Sequence, residues 1–335
     1  MDERKPYSVY LREKFPAKAG FVERMEALLG KKEAKEFFDI SYTRTPSSIR
    51  CNTLKIGVDE LKGRLEGYGW KIKQPFDEFP EVMVIESALE PGEIGKTKEH
   101  LLGYYYVQEI SSMLPMMALR PEAGEMILDL CSSPGSKTTQ AAAMMENSGT
   151  IIANELSMGR IGILNTNLER CGVMNTIVTR KEGVALCTRF LKKSKIRFDK
   201  ILVDAPCSGE GTLRKSPKTF LMWNPNMIKK IAGTQRKLAE AAMRILKVGG
   251  EMIYSTCTLA PEEDEMIVNH LIENFDVEIE QIKLPLKFRC GVCEWEGKSL
   301  DKGVEKCLRL YPQDNDTDGF FVAKIKKLSD EEVER

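Results

Sequence analysis

Met126-Ile127-Leu128-Asp129-Leu130 is a short apolar run that passes directly into Cys131-Ser132-Ser133-Pro134-Gly135-Ser136-Lys137. The run is too short for a buried helix and is closed by turn residues, so it reads as a buried strand ending in a loop. The same pattern recurs downstream. A helix expected over 137–146 leads to the strand Thr150-Ile151-Ile152-Ala153-Asn154, and a helix over 157–171 leads to Thr176-Ile177-Val178-Thr179. A helix near 183–193 precedes the strand Lys200-Ile201-Leu202-Val203-Asp204, which a long loop joins to a helix over 226–246. Gly249-Gly250 then turns the chain into Glu251-Met252-Ile253-Tyr254-Ser255, followed by a helix over 262–274. Strict alternation of strand and helix implies an α/β fold, a doubly wound, mostly parallel sheet with helices on both faces. Strands near 277–281 and 319–323 bring the expected sheet to seven.

The upstream sequence is less regular. Residues 6–39 read as helix broken at Pro16 and Gly30, and strands at 48–53 and 82–85 flank a helix near 58–67. Tyr104-Tyr105-Tyr106-Val107-Gln108 reads as a strand leading into a helix over 109–119. The expected organisation is a small α+β domain over 1–105, a main domain over 106–328 and an acidic tail over 329–335.

Composition narrows the function. Of 335 residues, 42% are apolar and 30% charged, which excludes a disordered, collagen-like or coiled-coil chain. No apolar run is long enough to span a membrane. Nine scattered cysteines do not read as a secreted disulfide framework, so a reducing cytoplasm is expected. The two histidines, His100 and His270, sit among polar neighbours and read as solvated positions. Chemistry therefore rests on Cys, Asp/Glu, Lys or a cofactor. The net charge of zero hides a basic third quarter: residues 176–250 carry 17 Lys and Arg against 5 Asp and Glu. That segment is either a set of solvated helix faces or a surface for a polyanion, since affinity for phosphate follows local cation density.

In doubly wound sheets ligands bind beyond the carboxyl ends of the strands. Here those ends are the loop from Cys131 to Lys137, Asn154-Glu155, Arg180-Lys181-Glu182, Asp204-Ala205-Pro206-Cys207 and Ser255-Thr256-Cys257. Gly135 before a helix N-terminus suits a carboxylate or phosphate, although the loop is neither the dinucleotide fingerprint nor a P-loop. Glu155 ends the second strand, where an acid can accept from both ribose hydroxyls. An anion-binding loop beside a ribose acid suits S-adenosylmethionine or a nucleotide cofactor.

Cys207 and Cys257 end adjacent strands amid small polar residues. One buried cysteine is ordinary core, whereas two at strand ends beside a cofactor loop favour nucleophilic chemistry. Cytosine offers a reason for such a pair. Thiolate addition at carbon 6 makes carbon 5 nucleophilic enough to take a methyl group, and Asp204 can hydrogen-bond the ring edge.

Over residues 45–327 the chain resembles the RNA cytosine-5 methyltransferases of the Sun family. The matching motifs are Arg50-Cys51-Asn52-Thr53-Leu54-Lys55, the loop Cys131–Thr138, Asp204-Ala205-Pro206-Cys207-Ser208-Gly209-Glu210-Gly211-Thr212, Tyr254-Ser255-Thr256-Cys257-Thr258 with Pro261-Glu262-Glu263, and Arg309-Leu310-Tyr311-Pro312 with Gly319-Phe320-Phe321. The resemblance implies a class I, Rossmann-like methyltransferase fold. It implies that Cys257 is the nucleophile, that Cys207 assists product release, and that S-adenosylmethionine is held by Cys131, Ser132, Ser133, Pro134, Gly135, Ser136, Lys137, Glu155, Arg160, Glu182 and Asp204. The chain departs from the family in reading Ser132-Ser133-Pro134-Gly135-Ser136-Lys137 for the usual Ala-Ala-Pro-Gly-Gly-Lys. It also carries Glu at 155 and 182 where Asp is usual. On this reading the basic segment faces RNA through Arg214, Lys215 and Lys218, with Arg50 and Asn52 adding contacts from the N-terminal domain. The expected substrate is structured RNA, tRNA ahead of rRNA on the resemblance of Gly209-Glu210-Gly211-Thr212 to the tRNA-modifying branch.

Two other functions compete. A non-catalytic RNA-binding or ribosome-assembly factor on the same fold would leave Cys207 and Cys257 without a chemical need. A DNA cytosine methyltransferase would leave Thr256-Cys257 unexplained. Cys290-Gly291-Val292-Cys293 with Cys307 lacks a fourth ligand nearby, so no metal is expected.

Overall fold

The computed structural model describes residues 7–332. Four strands, β1 (Ser47–Cys51), β2 (Ile72–Lys73), β3 (Val82–Ile85) and β4 (Tyr105–Val107), form an antiparallel sheet in the order β2-β3-β1-β4. The main sheet is built from β5 (Met126–Asp129), β6 (Thr150–Asn154), β7 (Thr176–Thr179), β8 (Phe198–Asp204), β9 (Leu246–Thr256), β10 (Phe275–Glu280), β11 (Arg289–Cys290), β14 (Leu308–Leu310) and β15 (Phe320–Glu332). A separate hairpin pairs β12 (Glu294–Trp295) with β13 (Lys298–Ser299).

Strands β7, β6, β5, β8 and β9 run parallel in that order, and β15 closes the series antiparallel to β9. β10 and β14 both pair with β15 along its length, and β11 adds to β14. The expected seven strands are thus all present, and two short ones extend the sheet. The apolar runs are continuous because both faces are covered. Along the strands Ile127, Leu202, Ile253 and Val322 enter one core, while Leu128, Ile201, Val203, Met252, Tyr254, Phe321 and Ala323 enter the other. The helices Ile110–Leu119 and Ser136–Met144 cover the first face, and Gly183–Arg189, Pro225–Ile245 and Glu265–Asn274 cover the second.

Two boundaries and one packing partner differ from expectation. The 105/106 division falls inside β4, because Tyr105 and Tyr106 pair with Cys51 and Arg50. Residues 329–332 continue β15, with Glu332 opposite Phe275, where a tail was expected; 333–335 lie outside the described residues. The N-terminal helices Tyr7–Lys14, Ala19–Leu29 and Lys31–Ser41 do not cover their own domain's sheet. Phe21, Met25 and Phe37 pack instead with Leu213, Phe220, Trp223, Leu259 and Tyr311 of the main domain. Each large side chain so buried contributes about 1.5–3 kcal/mol. Tyr42 stacks on Phe220 at 4.7 Å between ring centroids, and Lys18 Nζ donates to the Trp223 carbonyl at 2.8 Å. These helices brace the loop that follows β8.

No helix among the described residues is long and apolar enough to cross a membrane.

Candidate active site

A cleft of about 490 Å³ opens at the carboxyl ends of β5, β6, β7, β8 and β9, within the usual range for a small-molecule site. Leu130, Leu156 and Leu238 give it apolar wall, and Glu155, Glu182 and Asp204 give it acceptors. An apolar face for a base beside acceptors for hydroxyl and ammonium groups fits S-adenosylmethionine.

The loop after β5 is shaped by Gly135, which precedes the helix Ser136–Met144 with φ +101°. A side chain there would be strained, and its Cβ would come within 2.9 Å of Leu164 Cδ1. Arg160 fastens the loop by donating to the Ser133 carbonyl at 2.6 Å, while Ser133 Oγ donates to the Arg160 carbonyl. Arg160 also lies 3.2 Å from Glu155, whose other oxygen accepts the Ser157 N–H at 2.8 Å. Ser132 Oγ donates to the Asn154 carbonyl, tying the loop to β6. Glu182 accepts from the N–H groups of Val184 and Ala185 with its two oxygens, so it caps the helix Gly183–Arg189 as well as lining the cleft. Lys137 turns inward, donating to Asp204 Oδ2 at 2.7 Å and to Ser112 Oγ at 3.2 Å. Burial pushes the Cys131 thiol up and holds the Asp129 carboxyl at about 7, against a 2.6 Å hydrogen bond from Thr138 that favours its charged form.

At the mouth of the cleft the two strand-end cysteines meet, Cys207 Sγ lying 3.0 Å from Cys257 Sγ, both as free thiols. Two loops are stapled to make this contact. The Gly211 N–H donates to the Cys257 carbonyl at 2.9 Å, and Ser208 and Thr258 hydroxyls lie 2.7 Å apart. Gly319 N–H donates to the Gly211 carbonyl at 2.8 Å, an approach so close that a Cβ on Gly211 would sit 2.1 Å from the Gly319 oxygen. The hydrogen bond with Cys257, then burial, then the charges nearby push the Cys207 thiol well above its ordinary value. Asp204 reaches the same mouth, its second oxygen accepting from Ser255 Oγ at 2.8 Å.

The expected RNA face is not assembled as the sequence suggested. Arg50 is buried, donating to Gln108, to the Ser136 carbonyl and to Thr139 Oγ1, and burial lowers its pKa to about 10. Asn52 is buried between the Gly103 and Cys171 carbonyls. Arg214 is buried too, bridging Thr317, Arg44 and Asp316. These three side chains hold the two domains and their loops together and present no free donor face to a polyanion. Lys215 and Lys218 are exposed, and Lys215 pairs with Asp318 at 2.8 Å. His270 pairs with Glu240 at 2.6 Å, and His100 lies against Tyr105. Among the described residues no group of three metal-ligating side chains converges, Cys290, Cys293 and Cys307 included.

Sequence reading missed Ser112 and Gln235, and it quoted Ser255 and Glu263 within motifs without seeing that Ser255 supports Asp204 and Glu263 grips the Cys207 loop. Gln235 carried a signal: it is a polar residue inside the apolar stripe Ile228, Ala232, Leu238, Ala239, Ala242 of the helix Pro225–Ile245. Arg309 shows what the Arg309-Leu310-Tyr311 motif is for. It is fully buried and pairs with Glu265 at 2.5 Å, anchoring the segment after Cys257.

Residues 116–326 match the family described as 16S rRNA methyltransferase RsmB/F, and residues 17–110 match the N-terminal domain of 16S rRNA methyltransferase RsmF. The chain is 39% identical over 297 residues to the tRNA (cytosine(49)-C(5))-methyltransferase of Pyrococcus abyssi, covering 88% of this chain and 92% of that protein. It is 41% identical over 285 residues to the ribosomal RNA small subunit methyltransferase F of Vibrio cholerae, covering 84% of this chain but 58% of that longer protein. The crystal structure of a methyltransferase homologue from Pyrococcus horikoshii superposes with a TM-score of 0.83 at 34% identity, over 97% of this chain and all of that one.

Proposed function

This chain belongs to the RsmB/F family of S-adenosylmethionine-dependent RNA cytosine-5 methyltransferases, and from that premise we propose that it methylates a cytosine in structured RNA through a covalent Cys257 adduct. The observation that carries the reading is the 3.0 Å contact of Cys207 and Cys257 at the mouth of the cleft, with Asp204 beside them. One thiol alone could be packing; two stapled face to face divide attack and release between them.

Cys257 adds to carbon 6 of the cytosine, and carbon 5 becomes nucleophilic. Asp204, held by Lys137 and Ser255, accepts from the exocyclic amino group at the ring edge and orients carbon 6 toward Cys257. The cofactor, when bound, supplies an electrophilic methyl group. Water at the mouth of the cleft takes the carbon-5 proton, the ring double bond re-forms and the carbon–sulfur bond breaks, returning its electron pair to Cys257. Cys207, which Cys257 and burial keep as a thiol, assists this elimination by donating its proton to the departing Cys257 sulfur, and regains one from water. The loop from Cys131 to Ser136, with Glu155, Arg160, Glu182 and Asp204, holds the cofactor, while Lys137 serves it only by fixing Asp204.

Transfer RNA is the favoured substrate. The correspondence with the archaeal tRNA enzyme runs through 92% of that protein, which supports a shared class of RNA. A cytoplasmic setting suits nine free cysteines. Bisulfite sequencing of total RNA from cells with and without the gene tests the reading. Loss of a modified cytosine in a tRNA is expected; loss confined to small-subunit rRNA moves the substrate to that class, and no loss in any RNA overturns the activity.

A further inference from the structure

Against the backbone around Cys207 lie two fully buried polar side chains from different elements: Gln235 on the helix Pro225–Ile245, and Glu263 in the turn before Glu265–Asn274. Glu263 Oε2 accepts the Ser208 N–H at 3.0 Å. Gln235 Nε2 donates to the Pro206 carbonyl at 2.9 Å and to the same Glu263 oxygen at 2.9 Å. The peptide groups on both sides of Cys207 are therefore gripped by one side-chain pair. Glu263 is itself fixed, since its carbonyl accepts from Tyr254 OH at 2.5 Å.

Fixing a short loop could be done with apolar packing at less cost. Instead the fold buries a carboxyl and an amide, and leaves Glu263 Oε1 and Gln235 Oε1 without a hydrogen-bond partner. Unmade hydrogen bonds on buried groups are expensive, so a polar pair retained here is doing something that packing could not. The residue whose peptide groups it bonds on both sides is Cys207.

We propose that the buried Gln235–Glu263 pair positions Cys207 for the release step, holding the Pro206-Cys207-Ser208 backbone so that the thiol stays opposite Cys257 once cytosine is attached. The role rests on the assignment of Cys207 to release. Glu263 is a positioning residue: it acts through the Ser208 and Pro206 peptides. Burial holds its carboxyl at about 7, and when ionised its charge adds to the forces that keep Cys207 a thiol.

The test uses the full chain with S-adenosylmethionine and total RNA from cells lacking the gene. Glu263→Ala and Gln235→Met are each expected to accumulate a denaturation-resistant protein–RNA adduct, with multiple-turnover methylation falling about tenfold or more. Cofactor affinity, measured by calorimetry, stays unchanged. Glu263→Gln keeps an oxygen for the Ser208 N–H and is expected to restore turnover to within about threefold of wild type. Should Glu263→Ala fail to fold, Gln235→Met carries the test. If Cys207→Ala, run alongside, traps an adduct while both Glu263→Ala and Gln235→Met turn over without trapping one, the release assignment stands and the positioning role is overturned. If Glu263→Gln is as defective as Glu263→Ala, charge rather than position is what matters, and the proposal is likewise overturned. If Cys207→Ala traps nothing, the release assignment fails and takes the positioning role with it.

Discussion

Lys137 Nζ sits 2.7 Å from Asp204 Oδ2 in a contact that joins the loop after β5 to the end of β8. The lysine side chain is 9% exposed and the carboxylate 28%, so water screens the pair little. It aims Asp204 at the cysteine mouth and takes Lys137 out of the cofactor cleft.

Lys137→Met removes that aim and leaves Asp204 with Ser255. Single-turnover methylation is expected to slow by about a hundredfold, the scale of a misplaced catalytic group. Cofactor affinity, measured by calorimetry, changes little.

The two cysteines demand opposite phenotypes. Cys257→Ala abolishes methyl transfer and forms no adduct. Cys207→Ala leaves attack intact and traps a methylated protein–RNA adduct that survives a denaturing gel. The double variant traps none. An adduct seen with Cys257→Ala and lost with Cys207→Ala would reverse the two roles.

Glu155 is 5% exposed and lines the cleft with one oxygen on the Ser157 N–H and the other near Arg160. Glu155→Ala is expected to weaken S-adenosylmethionine by about 1.5–3 kcal/mol, the scale of a charged acceptor. Calorimetry returning wild-type affinity would leave Glu155 with the loop-fastening role alone.

Asp129 and Glu263 are buried carboxyls whose folded-state values are raised to about 7 from ordinary values near 4. Between those limits the folded state binds more protons than the unfolded one, so stability falls as pH rises through that window. Denaturant unfolding at pH 5 and pH 8 is expected to show greater stability at pH 5 from these two groups. Asp129→Asn removes one of them and flattens the profile; an unchanged slope would mean Asp129 is ionised throughout.

Arg50 discriminates a surface reading from a structural one. Its guanidinium is buried on Gln108, Ser136 and Thr139, so Arg50→Ala is expected to lower stability by about 3 kcal/mol or more. RNA affinity per folded molecule, measured by filter binding below the melting transition, stays at the wild-type level. A selective loss of RNA affinity without loss of stability would return Arg50 to the RNA face.

The sequence by itself determined the order of elements, because apolar runs such as Ile201-Leu202-Val203 must be buried on two faces and only alternation with amphipathic helices provides that. It also determined the chemistry-bearing strand ends, since Asp204 closes its strand, Cys207 and Cys257 come within three residues of theirs, and a parallel sheet brings such ends to one edge. Only the tertiary structure decided which polar residues face outward. Arg50, Asn52 and Arg214 read as surface groups because charge and amide are usually solvated, yet each finds carbonyl or hydroxyl acceptors more than 50 residues away that no local pattern reveals. The same holds for Gln235 and Glu263, and for the N-terminal helices, whose apolar stripe was legible while its partner, the segment from Leu213 to Trp223, was not. Periodicity is a property of neighbours in the chain and survives in sequence. The satisfaction of a buried donor depends on what folding brings against it, and that is fixed only in three dimensions.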